Sequence, residues 1–375
     1  MYSSTTTKTT KRLICKAPAK LILSGEHSVL YNSPALSVAI PIYSTCESVL
    51  TQTDASQPCL FNIELPNYQQ TIQLNRSQIN ILGSEIKARY QQFLKAEKQI
   101  TKVLTKSTDL FVIALYLFQE KHALKHGDWK FKIQSDIPTG RGLGSSASVI
   151  VSFLQSLYQQ HNMVIDKPEL LAFAQKVENF QHGHSSGLDP ATIINGGLIH
   201  YKEGRVISTS RAPNMKAWLV DSGKSSNSTG DVVLHVKQQH AENTELWNKF
   251  THCSDDILNT INKKELDALP QLINYNQSLL NQIGVVPKPI TDFIMQLNNS
   301  SPALAAKVCG AGSINGKTAG VLIVIPQEHA EQNSHFDVES TLTNLCNQYG
   351  YTVSTITLDN RGTFCEVNHN ATMAK

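Results

Sequence analysis

The chain has 375 residues, 41% hydrophobic and 17% charged, with a formal net charge of +3. That length can bury two sizeable cores, and a charge so close to neutral gives no electrostatic reason to expect nucleic acid or a membrane surface as partner. No apolar run approaches the ~20 residues that span a bilayer, so the reading is a globular protein of the cytoplasm.

Met1 to Arg12 is rich in Thr, Ser and Lys and has no apolar core. It reads as a disordered tail over 1–12 rather than a secretory signal. The seven cysteines (15, 46, 59, 253, 309, 346, 365) are odd in number, and no pair is spaced CxxC. This predicts neither a zinc site nor a disulfide framework, and reduced thiols are expected.

Cys15 to Tyr31 reads Cys-Lys-Ala-Pro-Ala-Lys-Leu-Ile-Leu-Ser-Gly-Glu-His-Ser-Val-Leu-Tyr. Leu21-Ile22-Leu23 is a short buried-strand candidate, with Lys20 just before it and Gly25-Glu26-His27 just after. Solvated strand ends are the default reading of such charges. Ile42–Leu50 and Leu60–Leu65 are strand-like, and Pro66-Asn67 closes the second as a turn pair. Gln78 to Lys125 reads as mostly helical, with Phe111 to Phe118 apolar nearly all round, as a buried helix would be.

Trp129-Lys130-Phe131-Lys132-Ile133-Gln134 alternates as a half-buried strand does. After it comes Asp136-Ile137-Pro138-Thr139-Gly140-Arg141-Gly142-Leu143-Gly144-Ser145-Ser146-Ala147-Ser148, and then an apolar run with the density of a packed helix. Glycines at alternate positions allow a tight turn and a close backbone approach to a ligand. Ser145 and Ser146 open the helix, where free N–H groups and the positive dipole end favour an anion. Strand, glycine turn and helix start together make a polyphosphate cradle. It is neither a Walker P-loop nor a dinucleotide fingerprint, because the required Gly-Lys-Ser/Thr and glycine spacings are missing.

Lys167 to Phe180 reads as a helix with Glu178 in its last turn. The dipole disfavours an acid there. A surface Glu is the bland alternative to a magnesium ligand, the role Mg²⁺ chemistry suggests for a carboxylate beside phosphates. Asp189 follows a Ser-Gly turn and opens a short helix, where an N-cap competes with a catalytic carboxylate. His182 and His184, two apart around a glycine, read as loop residues. Ala217–Lys224 is a strand running into a polar loop, Ser225–Thr229 leads into a helix from Gly230 to Gln239, and 241–299 reads as a set of helices. Ala306-Lys307-Val308-Cys309-Gly310-Ala311-Gly312-Ser313 precedes the strand Ala319–Ile325.

Three of these stretches, in this order, resemble the motifs of the GHMP kinases: Ala17-Pro18 through Tyr31, Pro138 through Ala147, and the Gly310-Ala311-Gly312 loop. The third match is partial, because Ser313-Ile314-Asn315-Gly316-Lys317 replaces the usual glycine run. Ser33–Ile40 and the segment His182–Gly197 look like the mevalonate kinase branch, and the resemblance runs from about Lys16 to about Val324. It implies an α+β, two-lobed fold, with a ribosomal protein S5 domain 2-like N-terminal lobe (13–215) and a ferredoxin-like C-terminal lobe (216–375). It implies ATP and Mg²⁺ as cofactors, mevalonate as the small-molecule acceptor, and allows a homodimer.

The implied roles are specific. Asp189 would take the acceptor's hydroxyl proton beside Lys20. Gly140, Arg141, Gly142, Leu143, Gly144, Ser145 and Ser146 would hold nucleotide, with Asn67 and Ser135 contacting it. Ser146 and Glu178 would ligate Mg²⁺. Glu26 and His27 would face the acceptor, with His27 as the cation for its carboxylate. The alternatives are another small-molecule kinase of the same fold, acting on phosphomevalonate or a sugar, and a non-catalytic nucleotide-binding regulator.

Overall fold

A computed structural model describes residues 10–327 and 338–367. In chain order the first part runs β1 (Thr10–Ser24), β2 (Ala35–Thr51), β3 (Leu60–Leu65), β4 (Gln70–Asn75), α1 (Arg76–Leu94), α2 (Asp109–Gln119), β5 (Asp128–Ser135), α3 (Ser145–Gln160), α4 (Lys167–His182), α5 (Leu188–Asn195), β6 (Leu198–Lys202) and β7 (Arg205–Ser210). The second runs β8 (Ala217–Asp221), α6 (Thr229–His240), α7 (Thr244–Lys263), α8 (Leu269–Gln282), α9 (Lys288–Asn298), β9 (Leu304–Cys309), β10 (Val321–Pro326), α10 (Val338–Tyr349) and β11 (Thr352–Ile356). A last strand, β12 (Phe364–Val367), closes the described chain.

The strands form two sheets. The first has the order β12-β1-β2-β5-β3-β4, with β6 on β2 and β7 on β6; only the β3–β5 pair is parallel. The second is antiparallel in the order β11-β8-β10-β9. Numbered within that sheet this is 4-1-3-2, with helices inserted after the first and third strands, as in a ferredoxin-like β-α-β-β-α-β unit.

Two prolines explain how β1 serves both parts. The β1–β2 ladder shifts register between Pro18 and Ala19, and Pro41 lies in the residues of β2 skipped there. Neither proline can donate to the ladder, so each belongs at such an irregularity. Before the kink, Ala17 joins the core between the first sheet and α1–α4. Beyond it, Ala19, Leu21 and Leu23 join a core shared with β8, β9, β10 and α7–α9. Lys20 therefore sits in the interior of a 15-residue strand, where the two parts meet, and not ahead of a three-residue one. The buried helix expected at 111–118 is present as α2. The region 78–125 is two helices separated by an irregular stretch around a short 3₁₀ turn.

Three expectations need correction. Thr10, Lys11 and Arg12 are not tail but pair with Thr51, Leu50 and Val49; residues 1–9 lie outside the described residues. A break at 215/216 falls between the two sheets, yet β12 returns to pair with β1 in the first. Finally, Cys15 and Cys365 are disulfide-bonded, whereas Cys46, Cys59, Cys253, Cys309 and Cys346 are free and buried. Both bonded residues are direct partners across β1 and β12, brought together by a strand 350 positions away, so spacing could not pair them. Among the described residues, no helix is long and apolar enough to cross a membrane.

Candidate active site

The glycine loop leaves β5 and enters α3. Gly140, Gly142 and Gly144 all hold positive φ, +69°, +82° and +73°. Gly144 is the residue before the first turn of α3, and no side chain caps the helix. Two of these glycines are also forced by contact. A Cβ on Gly142 would lie 2.5 Å from the Cys309 carbonyl oxygen, and one on Gly144 would lie 3.0 Å from Lys20 Cγ and 3.4 Å from Asp189 Oδ2. Leu143 turns its side chain into the core, 1% exposed, and its carbonyl accepts the Lys20 amide at 3.0 Å. Only its backbone is available to a ligand.

Lys20 and Asp189, 169 positions apart by number, form an ion pair with Nζ 3.1 Å from Oδ1. The lysine side chain is 3% exposed and the carboxylate 34%, so the pair opens to solvent on the Asp189 side. Asp189 lies in the first turn of α5, whose cap position is Gly187 in the left-handed region; the competing N-cap reading is therefore overturned. Glycine permits that cap conformation, and it frees the carboxylate from capping duty.

Glu178 is buried. Its Oε2 accepts a hydrogen bond from Ser185 Oγ at 2.7 Å. Burial, and next the charge of Asp189, push its pKa up to about 8, while the Ser185 bond and Lys20 pull the other way. The surface-Glu reading fails here: this carboxylate is buried and feels the charges of both Asp189 and Lys20. Ser146 Oγ lies 3.2 Å from His182 Nε2, so His182, the last residue of α4, touches the glycine loop rather than standing in a free loop. Ser145 Oγ donates to the Ile137 carbonyl at 3.3 Å and closes the loop on itself.

Asn67 and Ser135 were expected near nucleotide, and the structure joins them. Asn67 Nδ2 donates to the Ser135 carbonyl at 3.1 Å, and the Ser135 amide donates to Asn67 Oδ1 at 2.9 Å. These bonds fix the end of β5 just ahead of the glycine loop. Arg141 reaches the other way, its Nε 2.7 and 2.8 Å from the two oxygens of Asp221 at the end of β8. Its guanidinium ties the loop to the second sheet.

Glu26 and His27 are both buried. Glu26 Oε1 is ion-paired with Lys307 Nζ, which also donates to the Ile22 and Val308 carbonyls at 3.1 and 2.9 Å; Glu26 Oε2 has no partner among the described residues. His27 Nε2 donates to the Ala311 carbonyl at 2.9 Å, leaving Nδ1 buried and without a partner among the described residues. Burial takes its pKa down to about 4, against the weaker upward pull of that bond. The expected cation for an acceptor carboxylate is therefore not His27, which is neutral near pH 7. Lys307, the partner of Glu26, was not singled out in the sequence. A single lysine inside Leu304-Ala305-Ala306-Lys307-Val308-Cys309, a strand buried at every position, was the available signal, since a buried ammonium requires a carboxylate.

The neutral His27 makes stability depend on pH. The unfolded imidazole takes up a proton near pH 6.5 and the folded one only near pH 4, so acidification between these values favours unfolding. At pH 5 this group is expected to withdraw about 2 kcal/mol relative to pH 7. His27→Asn should lose less stability over the same interval, and asparagine tolerates the φ of +60° at this position. Urea midpoints of both proteins at pH 7 and pH 5 measure the difference; equal losses would contradict the assignment.

This geometry sets a glycine turn at a helix start against a lysine–carboxylate pair where the two parts of the fold meet. The pattern of the GHMP kinases N terminal domain matches residues 109–197. The chain belongs to the GHMP kinase family. Its relatives include the mevalonate kinase of Pyrococcus furiosus, 30% identical over 311 residues that cover 80% of this chain and 86% of the relative. Another is that of Archaeoglobus fulgidus, 29% identical over 80% of this chain and 89% of the relative. Among solved structures, the Methanococcus jannaschii mevalonate kinase superposes with a TM-score of 0.71 at 22% identity, covering 94% of this chain and 99% of the other. The L. major mevalonate kinase in complex with R-mevalonate gives 0.63 at 21%, covering 96% and 100%. These superpositions speak for the fold.

Proposed function

We propose that this enzyme transfers the γ-phosphoryl group of ATP to the primary hydroxyl of mevalonate, a step of isoprenoid biosynthesis carried out in the cytoplasm. The observation that supports the reading is that a Cβ built on Gly144 would stand 3.0 Å from Lys20 Cγ and 3.4 Å from Asp189 Oδ2, so the glycine loop and the ion pair are neighbours. The names of the relatives supply the acceptor.

Phosphoryl transfer to an alcohol needs a positioned phosphate tail, charge neutralisation and a destination for the hydroxyl proton. Main-chain amides from Gly140 to Ser146 hold the tail at the start of α3. Asp189 takes the proton, and Lys20 stabilises the developing alkoxide beside it. Asn67 and Ser135 border the nucleotide, and Glu26 and His27 border the acceptor.

The residues present also fit magnesium. Ser146 offers a hydroxyl, and Glu178 a buried carboxylate near the charge of Asp189. Bound there with the phosphates, Mg²⁺ would neutralise part of their charge during transfer.

A coupled ADP-release assay across mevalonate, phosphomevalonate, homoserine and galactose tests the reading. Mevalonate is expected to lead in kcat/KM by about a hundredfold or more, because sites that satisfy a substrate's polar groups reject analogues lacking them. A different preferred acceptor would replace mevalonate, and ATP binding without turnover on any of the four would favour the regulator.

A further inference from the structure

The segment after β8 and the loop between β9 and β10 are laced together. Ser222 Oγ donates to the Gly320 carbonyl at 2.7 Å and accepts the Ala319 amide at 3.0 Å. The Gly320 amide donates to Gly223 O at 3.1 Å, and Thr318 Oγ1 to Lys224 O at 2.6 Å. Asn227 Oδ1 gathers three donors from the altered part of the loop: Ser313 Oγ at 2.9 Å, Ile314 N at 3.0 Å and Asn315 N at 3.3 Å. The glycine run missing from this loop is thus answered by side-chain bonds that fix its path. They also fix the backbone on both sides of Lys224.

The Lys224 side chain then lies along the phosphate loop. A Cβ built on Gly140 would stand 3.0, 3.3 and 3.1 Å from its Cγ, Cδ and Cε. The other two cations at the loop are committed, Lys20 to Asp189 and Arg141 to Asp221. The Lys224 side chain is exposed, and its ammonium has no hydrogen bond or ion pair among the described residues. Backbone amides carry only partial charges, whereas a nucleotide's phosphate tail carries several full ones. A flexible ammonium held beside the cradle matches that need.

We propose that Lys224 is a further phosphate-binding residue, its ammonium pairing with the nucleotide's phosphate tail from the segment that follows β8. The proposal rests on the reading of 140–146 as an ATP cradle, but not on the identity of the acceptor. Titration calorimetry with MgATP and MgADP, acceptor absent, tests it on the full chain. Lys224→Gln is expected to weaken MgATP binding at least about tenfold and to flatten its dependence on salt. Lys224→Arg, which keeps the charge, should stay within about threefold of the parent.

Binding by Lys224→Gln within twofold of the parent would overturn the proposal. Equal losses in both variants would also overturn it, because shape rather than charge would then be at issue. A parent that binds ATP but ignores mevalonate overturns the acceptor reading alone, whereas a parent that binds no ATP removes both.

Discussion

Asp189→Asn is expected to lower kcat on mevalonate by about 10²- to 10⁴-fold, the usual worth of a positioned general base, with ATP affinity within about twofold of the parent. The substitution keeps the shape of the side chain and removes its capacity to take the hydroxyl proton. The Gly140–Ser146 amides, which bind the phosphates in this reading, are left in place, since the Asp189 carboxylate is paired with Lys20. Lys20 loses its ion partner at 3.1 Å, but its side chain stays beside the reacting oxygen. Single-turnover rates would separate this loss from any slow release of product. Turnover at the parent rate would show that the proton goes elsewhere, and a matching loss of ATP affinity would show that the carboxylate belongs to the nucleotide site.

What could be read from the sequence was local in its physics. The phosphate loop declares itself because strand alternation, alternate glycines and a helix start lie within about twenty residues; all three glycines indeed hold positive φ. Helices α2 and α4 are legible from their apolar patterns. The pairing of Lys20 with Asp189 was not local, and only resemblance to the kinase motifs brought them together. Lys307 stood inside a quoted motif without a role, because its partner Glu26 is 281 positions away. The state of His27 was misjudged for a related reason. Its charge is set by burial under the loop containing Ala311, and nothing in Gly25-Glu26-His27 reports that cover. The return of β12 to β1, with the Cys15–Cys365 bond, is likewise a fact of topology.

The Glu26–Lys307 pair yields the largest expected change in stability. Both side chains are essentially without solvent contact, at 1% and 0% exposure. Lys307→Met keeps the length of the side chain and removes the charge. It strands a buried carboxylate whose second oxygen already lacks a partner among the described residues, and deprives the Ile22 and Val308 carbonyls of a donor. Breaking a buried ion pair from one side costs about 3–5 kcal/mol, which should appear as a lower urea midpoint with little change in slope. Adding Glu26→Gln removes the stranded charge, so the double variant should recover part of the loss, with a coupling of about 1–3 kcal/mol. Recovery of stability need not restore activity, because Glu26 borders the acceptor in this reading; a stable double variant with a raised KM for mevalonate and an unchanged KM for ATP would separate the two roles. A single variant that loses less than about 1 kcal/mol, or a double variant whose loss equals the sum of the two singles, would mean that these charges do not hold β9 to the end of β1.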